Sequence, residues 1–122
     1  MSIKEYVSGE KADIVVNVDQ GGSCEAEAFI EGLDDSDQRK VLHIFKMFCE
    51  QGQIRNEEKF NREDGPIFAF KSFQVRILCA FLPGRKKRTV ILLHGLKKKQ
   101  DKLPKPDLKK AQLLYENIIK SK

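Results

Sequence analysis

The chain has 122 residues, of which 40% are hydrophobic and 34% are charged, a composition typical of one small globular domain. No stretch reaches the roughly 18 apolar residues of a membrane span, and the first residues lack the apolar segment of a signal peptide. We therefore expect a cytoplasmic protein with no membrane partner. The net charge is +5, but residues 85–122 carry +10 and residues 1–84 carry −5. A C-terminal third this basic favours a polyanionic partner, either nucleic acid or an acidic protein, over a merely solvated lysine-rich surface.

The three cysteines, Cys24, Cys49 and Cys79, are widely spaced and form neither a CxxC pair nor a Cys/His ligand set. Reduced, buried thiols are the expected state of such residues in a cytoplasmic protein. No carboxylate cluster resembles a metal site either. The sequence therefore predicts no metal and no cofactor.

We expect one domain over residues 1–122, in which residues 1–11 form a flexible arm because that segment is polar and aperiodic. The β-branched residues 13–19 predict a first strand. Apolar residues at helical spacing then predict one helix between Ser23 and Leu33 and another between Asp35 and Gly52. With so short a link, the two helices are expected to form a helical hairpin.

The second half of the chain predicts a small sheet and a last helix. Residues 53–66 are polar and are expected to form a connection. Three strands joined by short turns, an antiparallel meander, are predicted over residues 67–71, 73–82 and 88–93. A final amphipathic helix begins near Pro106. Together these elements predict an α+β fold, with an N-terminal strand and a helical hairpin packed on a mainly antiparallel sheet and a C-terminal helix.

Arg76 is the first residue that suggests a site, because it lies in the middle of an apolar strand. An arginine in such surroundings either pairs with a carboxylate or lines a site on the open face of the sheet, and its position leaves both readings open. Lys71 precedes Arg76 by five residues, across a turn at Ser72. The two side chains are therefore expected to lie near one another on adjacent strands.

A second candidate group is His94, which directly follows an apolar strand, with Lys97, Lys98 and Lys99 after it. Histidine is the side chain best suited to proton transfer near neutral pH, and lysines bind phosphates. A lone histidine at a strand end is more often structural, however, and lysine runs are usually solvated. The pattern alone therefore does not assign a reaction.

Several of these segments together resemble the RelE/ParE toxin superfamily, most closely its phage-derived, HigB-like branch. The resemblance rests on the Val-Arg-Ile-Leu of residues 75–78 and on residues 90–104, which contain His-Gly-Leu-Lys-Lys-Lys. It continues into the terminal helix, with Asp107, Leu108, Ala111 and Tyr115. The resemblance implies a helical hairpin on one face of a curved sheet and an RNA-binding surface on the other.

The resemblance also implies a function, that of a toxin of a type II toxin–antitoxin system. Such a toxin is a metal-independent, ribosome-dependent endoribonuclease that cleaves translated mRNA through attack by the ribose 2′-hydroxyl. The residues that match the catalytic positions are Arg76, His94, Lys97 and Lys98. Those predicted to bind RNA are Lys71, Arg85, Lys86, Lys87, Arg88, Lys99 and Lys102. The implied partners are mRNA on the ribosome and a cognate antitoxin with a helix-turn-helix domain, through which alone the pair contacts operator DNA.

Some residues depart from the family pattern. Ile67 and Ala69 stand where relatives carry strand lysines, and Cys79 replaces a tyrosine. These departures leave open a degenerate, phage-derived protein that only binds nucleic acid. A ParE-like toxin that binds a protein target such as DNA gyrase, without enzymatic activity, is the other alternative.

Overall fold

The computed structural model describes residues 2–98 and 102–120. Its elements are β1 (Ser2–Ser8), β2 (Ala12–Val18), α1 (Glu25–Glu31), α2 (Asp35–Gln51), β3 (Phe60–Asp64), β4 (Ile67–Ser72), β5 (Val75–Phe81), β6 (Arg88–Lys97) and α3 (Lys105–Lys120). The described strands form one sheet in the order β1-β2-β6-β5-β4-β3, in which only β2 and β6 are parallel. The predicted α+β fold is confirmed. None of the helices in the described part of the chain is long and apolar enough to span a membrane.

The helical hairpin α1–α2 covers one face of the sheet and buries the larger of two cores. The Asp34 side chain accepts a hydrogen bond from the backbone N–H of Asp37 at 2.8 Å and so caps the start of α2. The rings of Phe45 and Phe48 on α2 meet that of Phe70 on β4, with centroids 4.9 and 5.5 Å away. These edge-on contacts fix the hairpin against the middle of the sheet.

Helix α3 packs on the opposite face and buries a second core. Alternate residues of β5 therefore face different helices: Ile77 faces the hairpin, whereas Leu78 faces α3. Because both faces are covered, β5 reads in the sequence as a continuous apolar run, and Arg76 is its one charged residue. Arg76 shares the α3 face with Leu78.

The predicted flexible arm at residues 1–11 is wrong for Ser2–Ser8, which form β1 and pair antiparallel with β2. Tyr6 packs against the hairpin core, and its ring lies 6.1 Å from that of Phe45. The segment looked aperiodic because most of its side chains are exposed. Its order comes from backbone pairing with β2, which a hydrophobic pattern does not reveal.

Two other strands differ from the prediction. The polar connection expected at residues 53–66 contains β3, which turns into β4 at Gly65 with φ 53°. Strand β6 is longer than expected and continues to Lys97. Its register against β5 shifts because Leu78 pairs with His94 and Cys79 with Leu92, which leaves Leu93 as an extra residue. His94 therefore lies within a strand and not beyond its end.

Candidate active site

A cleft of about 400 Å³ opens on the α3 face of the sheet, at the end where β4 turns into β5. Its lining combines five cationic side chains with one carboxylate among the described residues. The lining residues are Asn61, Glu63, Lys71, Arg76, Lys98, Lys102, Leu103, Lys105 and Leu108. A cavity of this composition favours an anionic ligand. We refer to it as the Arg76 cleft.

Three neighbouring strands place Glu63, Lys71 and Arg76 together in this cleft. Lys71 on β4 and Arg76 on β5 are directly opposite one another in the sheet, so their side chains project from the same face. The Lys71 Nζ lies 3.5 Å from a carboxylate oxygen of Glu63 on β3. The pairing of β3 with β4 shifts between Arg62 and Asp64, which makes Glu63 the extra residue of a β-bulge. Bulges redirect side chains in this way beside functional sites.

Arg76 is held by the backbone of the adjacent turn, and no carboxylate among the described residues forms an ion pair with it. Its Nη1 donates hydrogen bonds to the carbonyl oxygens of Phe73 and Val75, the second at 2.9 Å. The residue is 7% exposed. Burial lowers the pKa of Arg76 below its usual value, and the neighbouring Glu63 carboxylate opposes that shift. Arginine stays protonated at neutral pH even so, and the cleft therefore contains a fixed, largely desolvated cation.

His94 lies on the same face as Arg76, but it does not line the cleft. It is 2% exposed, and its Nε2 donates a hydrogen bond to the Asp107 carbonyl at 2.9 Å. Because a carbonyl oxygen only accepts, Nε2 carries the hydrogen in this contact. The imidazole thus ties β6 to the first turn of α3. The structure does not bring His94 together with the lysines that line the cleft, and its catalytic role stays a prediction.

The lysine run after His94 is divided between the two faces. Lys97 pairs with Val75, which faces the hairpin, and is exposed away from the Arg76 cleft. Lys98 lines the cleft, and its backbone N–H donates to the Gln74 carbonyl at 2.8 Å. The prediction for Lys99 lies outside the described residues, whereas Lys102 lines the cleft. Successive residues of a strand point to opposite faces, which explains why a run in sequence does not form one cluster.

The basic residues at positions 85–88 lie at the other end of β5, in and after the loop that joins it to β6. Arg85 and Lys86 are exposed. Lys87 Nζ donates to the Gly9 carbonyl at 2.9 Å and lies 3.4 Å from an Asp13 carboxylate oxygen. The Arg88 guanidinium lies over the Phe81 ring, 4.4 Å from its centroid. None of the four predicted RNA-binding residues in this group reaches the Arg76 cleft.

Sequence reasoning missed three polar residues of the cleft, Asn61, Glu63 and Lys105. It missed the first two because it treated their segment as a connection. The Asn61 Oδ1 is a buried acceptor without a hydrogen-bond partner in the described structure. An unpaired buried acceptor is costly unless a ligand or water donates to it. The Asp64-Gly65 pair is a hairpin signal that precedes an apolar strand, and it could have revealed β3.

The arrangement can act on a phosphodiester. Cations around a phosphate stabilise the negative charge that develops in the transition state, and a carboxylate can accept a proton from an attacking hydroxyl. The described residues contain no cluster of histidine, cysteine, aspartate or glutamate that would hold a metal ion.

The chain was compared with models of known protein families. A family described as phage-derived protein Gp49-like matches residues 28–116. The matched segment begins within α1, ends within α3, and includes all the residues that line the Arg76 cleft. A search of curated proteins finds no match.

Proposed function

Since the chain belongs to the Gp49-like family of phage-derived proteins, a family of the RelE/ParE-like toxin type, we propose that it is the toxin of a type II toxin–antitoxin system. Its proposed activity is that of a HigB-like, metal-independent endoribonuclease that cleaves translated mRNA on the ribosome in the cytoplasm. One observation carries the proposal. Glu63, Lys71 and Arg76 come from three separate strands and meet in one cationic cleft.

In the proposed reaction, the 2′-hydroxyl of a ribose attacks the adjacent phosphate. Glu63 takes the proton of that hydroxyl, and Arg76 and Lys71 stabilise the charge on the phosphorane. The bond from phosphorus to the 5′-oxygen then breaks, which leaves a 2′,3′-cyclic phosphate and a free 5′-hydroxyl. The ammonium of Lys98 or Lys102, both of which line the cleft, donates the proton that the leaving oxygen needs. His94 and Lys97 take no part in this scheme because neither lines the cleft.

The proposed partners follow from the same function. We expect a cognate antitoxin that blocks the Arg76 cleft or wraps the toxin. We also expect that antitoxin to be a helix-turn-helix protein, through which alone the pair contacts operator DNA. A small helix-turn-helix gene directly beside the gene for this chain supports the proposal.

The decisive experiment is induced expression followed by mapping of mRNA ends. The proposal predicts growth arrest, with new ends inside translated frames that carry 5′-hydroxyl groups. A Glu63→Gln variant is the matched control, since it removes the proposed base and keeps the size of the side chain. Growth arrest with intact mRNA and damaged DNA would support the ParE-like alternative instead.

The burial of His94 favours a second candidate, a protein that binds RNA without cutting it. The imidazole that the family resemblance assigns to catalysis is engaged with the Asp107 carbonyl. This candidate predicts that the purified protein binds RNA while mRNA on translating ribosomes stays intact. End mapping with purified ribosomes separates the two functions.

A further inference from the structure

A second cleft, of about 660 Å³, lies between α2 and the turn that joins β4 to β5. Four of its described lining residues are cationic, namely Arg39, Lys40, Lys59 and Lys71, and Glu58 contributes a carboxylate. We refer to it as the α2 cleft. The two clefts open on opposite faces of the sheet and come together at the end of β4, where Lys71 belongs to the lining of both.

Phe73 lies at the mouth of the α2 cleft and is unusual in two respects. It is 78% exposed, the most exposed large hydrophobic residue in the described chain. Its backbone φ is 54°, a left-handed conformation that residues other than glycine rarely adopt and that costs free energy. A glycine would relieve the strain, and a polar residue would remove the exposed ring. Neither stability nor solubility explains a phenylalanine here, which points to a role for the ring itself.

The surroundings of Phe73 suit a planar, anionic ligand. The Lys40 Nζ lies 4.5 Å from the ring centroid, which covers one face and leaves the other accessible. The Phe73 carbonyl accepts the hydrogen bond from Arg76 Nη1. Arg76, which lines the Arg76 cleft, therefore also holds the backbone of the residue that carries the exposed ring.

We propose that Phe73 is a platform on which a base of single-stranded RNA stacks, while Arg39, Lys40 and Lys59 contact the neighbouring phosphates. The inference rests on the proposed function and extends it, because it adds a binding surface next to the site of cleavage. An aromatic ring beside a cationic groove is the usual arrangement for single-stranded nucleic acid. An acidic protein would complement the charge of the α2 cleft, but it gives no reason for a ring with one open face.

The test uses the absence of tryptophan from the sequence. A Phe73→Trp variant carries a single tryptophan at the proposed platform. It is studied with Glu63→Gln in the same chain, so that bound RNA stays intact. A short single-stranded RNA is expected to quench this tryptophan, because the stacked base contacts the indole. An abasic strand of the same length presents the same phosphates without bases, and it is expected to leave the fluorescence nearly unchanged.

A second measurement compares RNA affinities by anisotropy. Phe73→Leu is expected to weaken binding about tenfold, the scale for loss of one base–aromatic stack, without changing the salt dependence. Lys40→Ala is expected to lower the slope of log affinity against log salt by about 1, as for loss of one phosphate contact. The matched control is Leu113→Ala, which alters another exposed apolar residue, 52% exposed on α3, and is expected to bind like the wild type.

Equal quenching by the intact and the abasic strand, or wild-type affinity in Phe73→Leu, would overturn the inference. These outcomes are distinct from failure of the proposed function. If RNA quenches the fluorescence of the Phe73→Trp variant while the wild type never cuts ribosome-bound mRNA, the stacking role of Phe73 is supported and the proposed endoribonuclease activity is rejected. If the wild type cuts mRNA and Phe73→Leu binds and cuts like the wild type, the endoribonuclease activity is supported and the stacking role of Phe73 is rejected.

Discussion

The two ends of β5 are both rich in basic residues, yet they are built differently. At the end near Arg76, cations from several elements converge on a concave surface around one carboxylate. At the other end, Arg85 and Lys86 project into solvent, and Lys87 joins the Gly9 carbonyl and the Asp13 carboxylate. The sequence analysis predicts RNA-binding residues at both ends. The difference between a cationic cleft and a charged loop that supports the fold lies in how the side chains converge in three dimensions.

The two ends of β5 are far enough apart for their charges to act separately. Strand β5 has seven residues, which at about 3.3 Å per residue separate its two ends by roughly 20 Å. The Debye length at physiological ionic strength is about 8 Å. The charges of the β5–β6 loop are therefore largely screened from a phosphate in the Arg76 cleft. The predictions below test this contrast.

The largest effect is expected for Arg76→Ala. Loss of this cation should lower the rate of mRNA cleavage by about 10²- to 10³-fold, the usual scale for one lost group that stabilises a developing oxyanion. The same change leaves the Phe73 and Val75 carbonyls without their donor, which should cost about 1–3 kcal/mol of folding free energy. Cleavage is measured on ribosomes and stability by denaturant unfolding.

Arg76→Lys is the control that separates charge from geometry at this position. It keeps the cation but cannot reproduce the planar guanidinium, so we expect it to retain stability better than activity. Unchanged cleavage by the folded Arg76→Ala protein would remove Arg76 from the site.

The next effect is expected for Glu63→Gln, which should lower cleavage about 10²-fold if Glu63 is the general base. Asp64→Asn is a matched control on the same strand. The Asp64 carboxylate accepts a hydrogen bond at 2.9 Å from the amide of Gln112 on α3, outside the cleft lining. Similar losses of activity in both variants would show that charge on β3 matters in general, and that Glu63 has no special role.

His94→Ala tests whether His94, on the same face of the sheet as Arg76, supports the fold and not the reaction. Because His94 is buried and bonded to the Asp107 carbonyl, its removal should cost about 2 kcal/mol of stability through a cavity and a lost hydrogen bond. Cleavage per folded molecule should stay within about threefold of the wild type, since catalytic general acids contribute at least about 10²-fold. A stable variant with a 10²-fold loss of cleavage would restore the catalytic role that the family resemblance implies.

The elements of this fold were largely predictable, because amphipathic helices and apolar strands follow from local patterns. Strands β1 and β3 were not, since they lie at the two edges of the sheet and much of their side-chain surface is exposed. Their order depends on backbone pairing with a neighbouring strand, which leaves little trace in hydrophobicity. For the same reason the sequence analysis overlooked Glu63, whose carboxylate lines the Arg76 cleft.

The candidate site was only partly predictable, because motif residues at adjacent positions serve different purposes. In the His-Gly segment, His94 ties β6 to α3. A Cβ at Gly95 would lie 2.3 Å from the Phe29 ring, so the glycine is needed for the close approach of α1. Arg76 and Lys71 were foreseen as neighbours because pairing across a short turn follows from sequence. Lys97 and Lys98 lie on different faces because successive strand residues alternate, and this was missed because the sequence placed the end of the strand at residue 93, whereas β6 continues to Lys97.

The smallest effect is expected for the double variant Arg85→Ala, Lys86→Ala. Both residues are exposed, so stability should change by no more than about 0.5 kcal/mol. Cleavage should stay within about twofold, and the salt dependence of RNA binding should not change, because screening separates this loop from the cleft.

The matched control for that double variant is Lys98→Ala, Lys102→Ala, which also removes two positive charges, but from the Arg76 cleft. It should lower the salt slope by about 2, one for each lost phosphate contact. If the two double variants weaken RNA binding equally, then net charge governs the affinity, and the contrast between the two ends of β5 fails. If only the cleft variant does so, the position of a cation matters more than the +10 charge of residues 85–122.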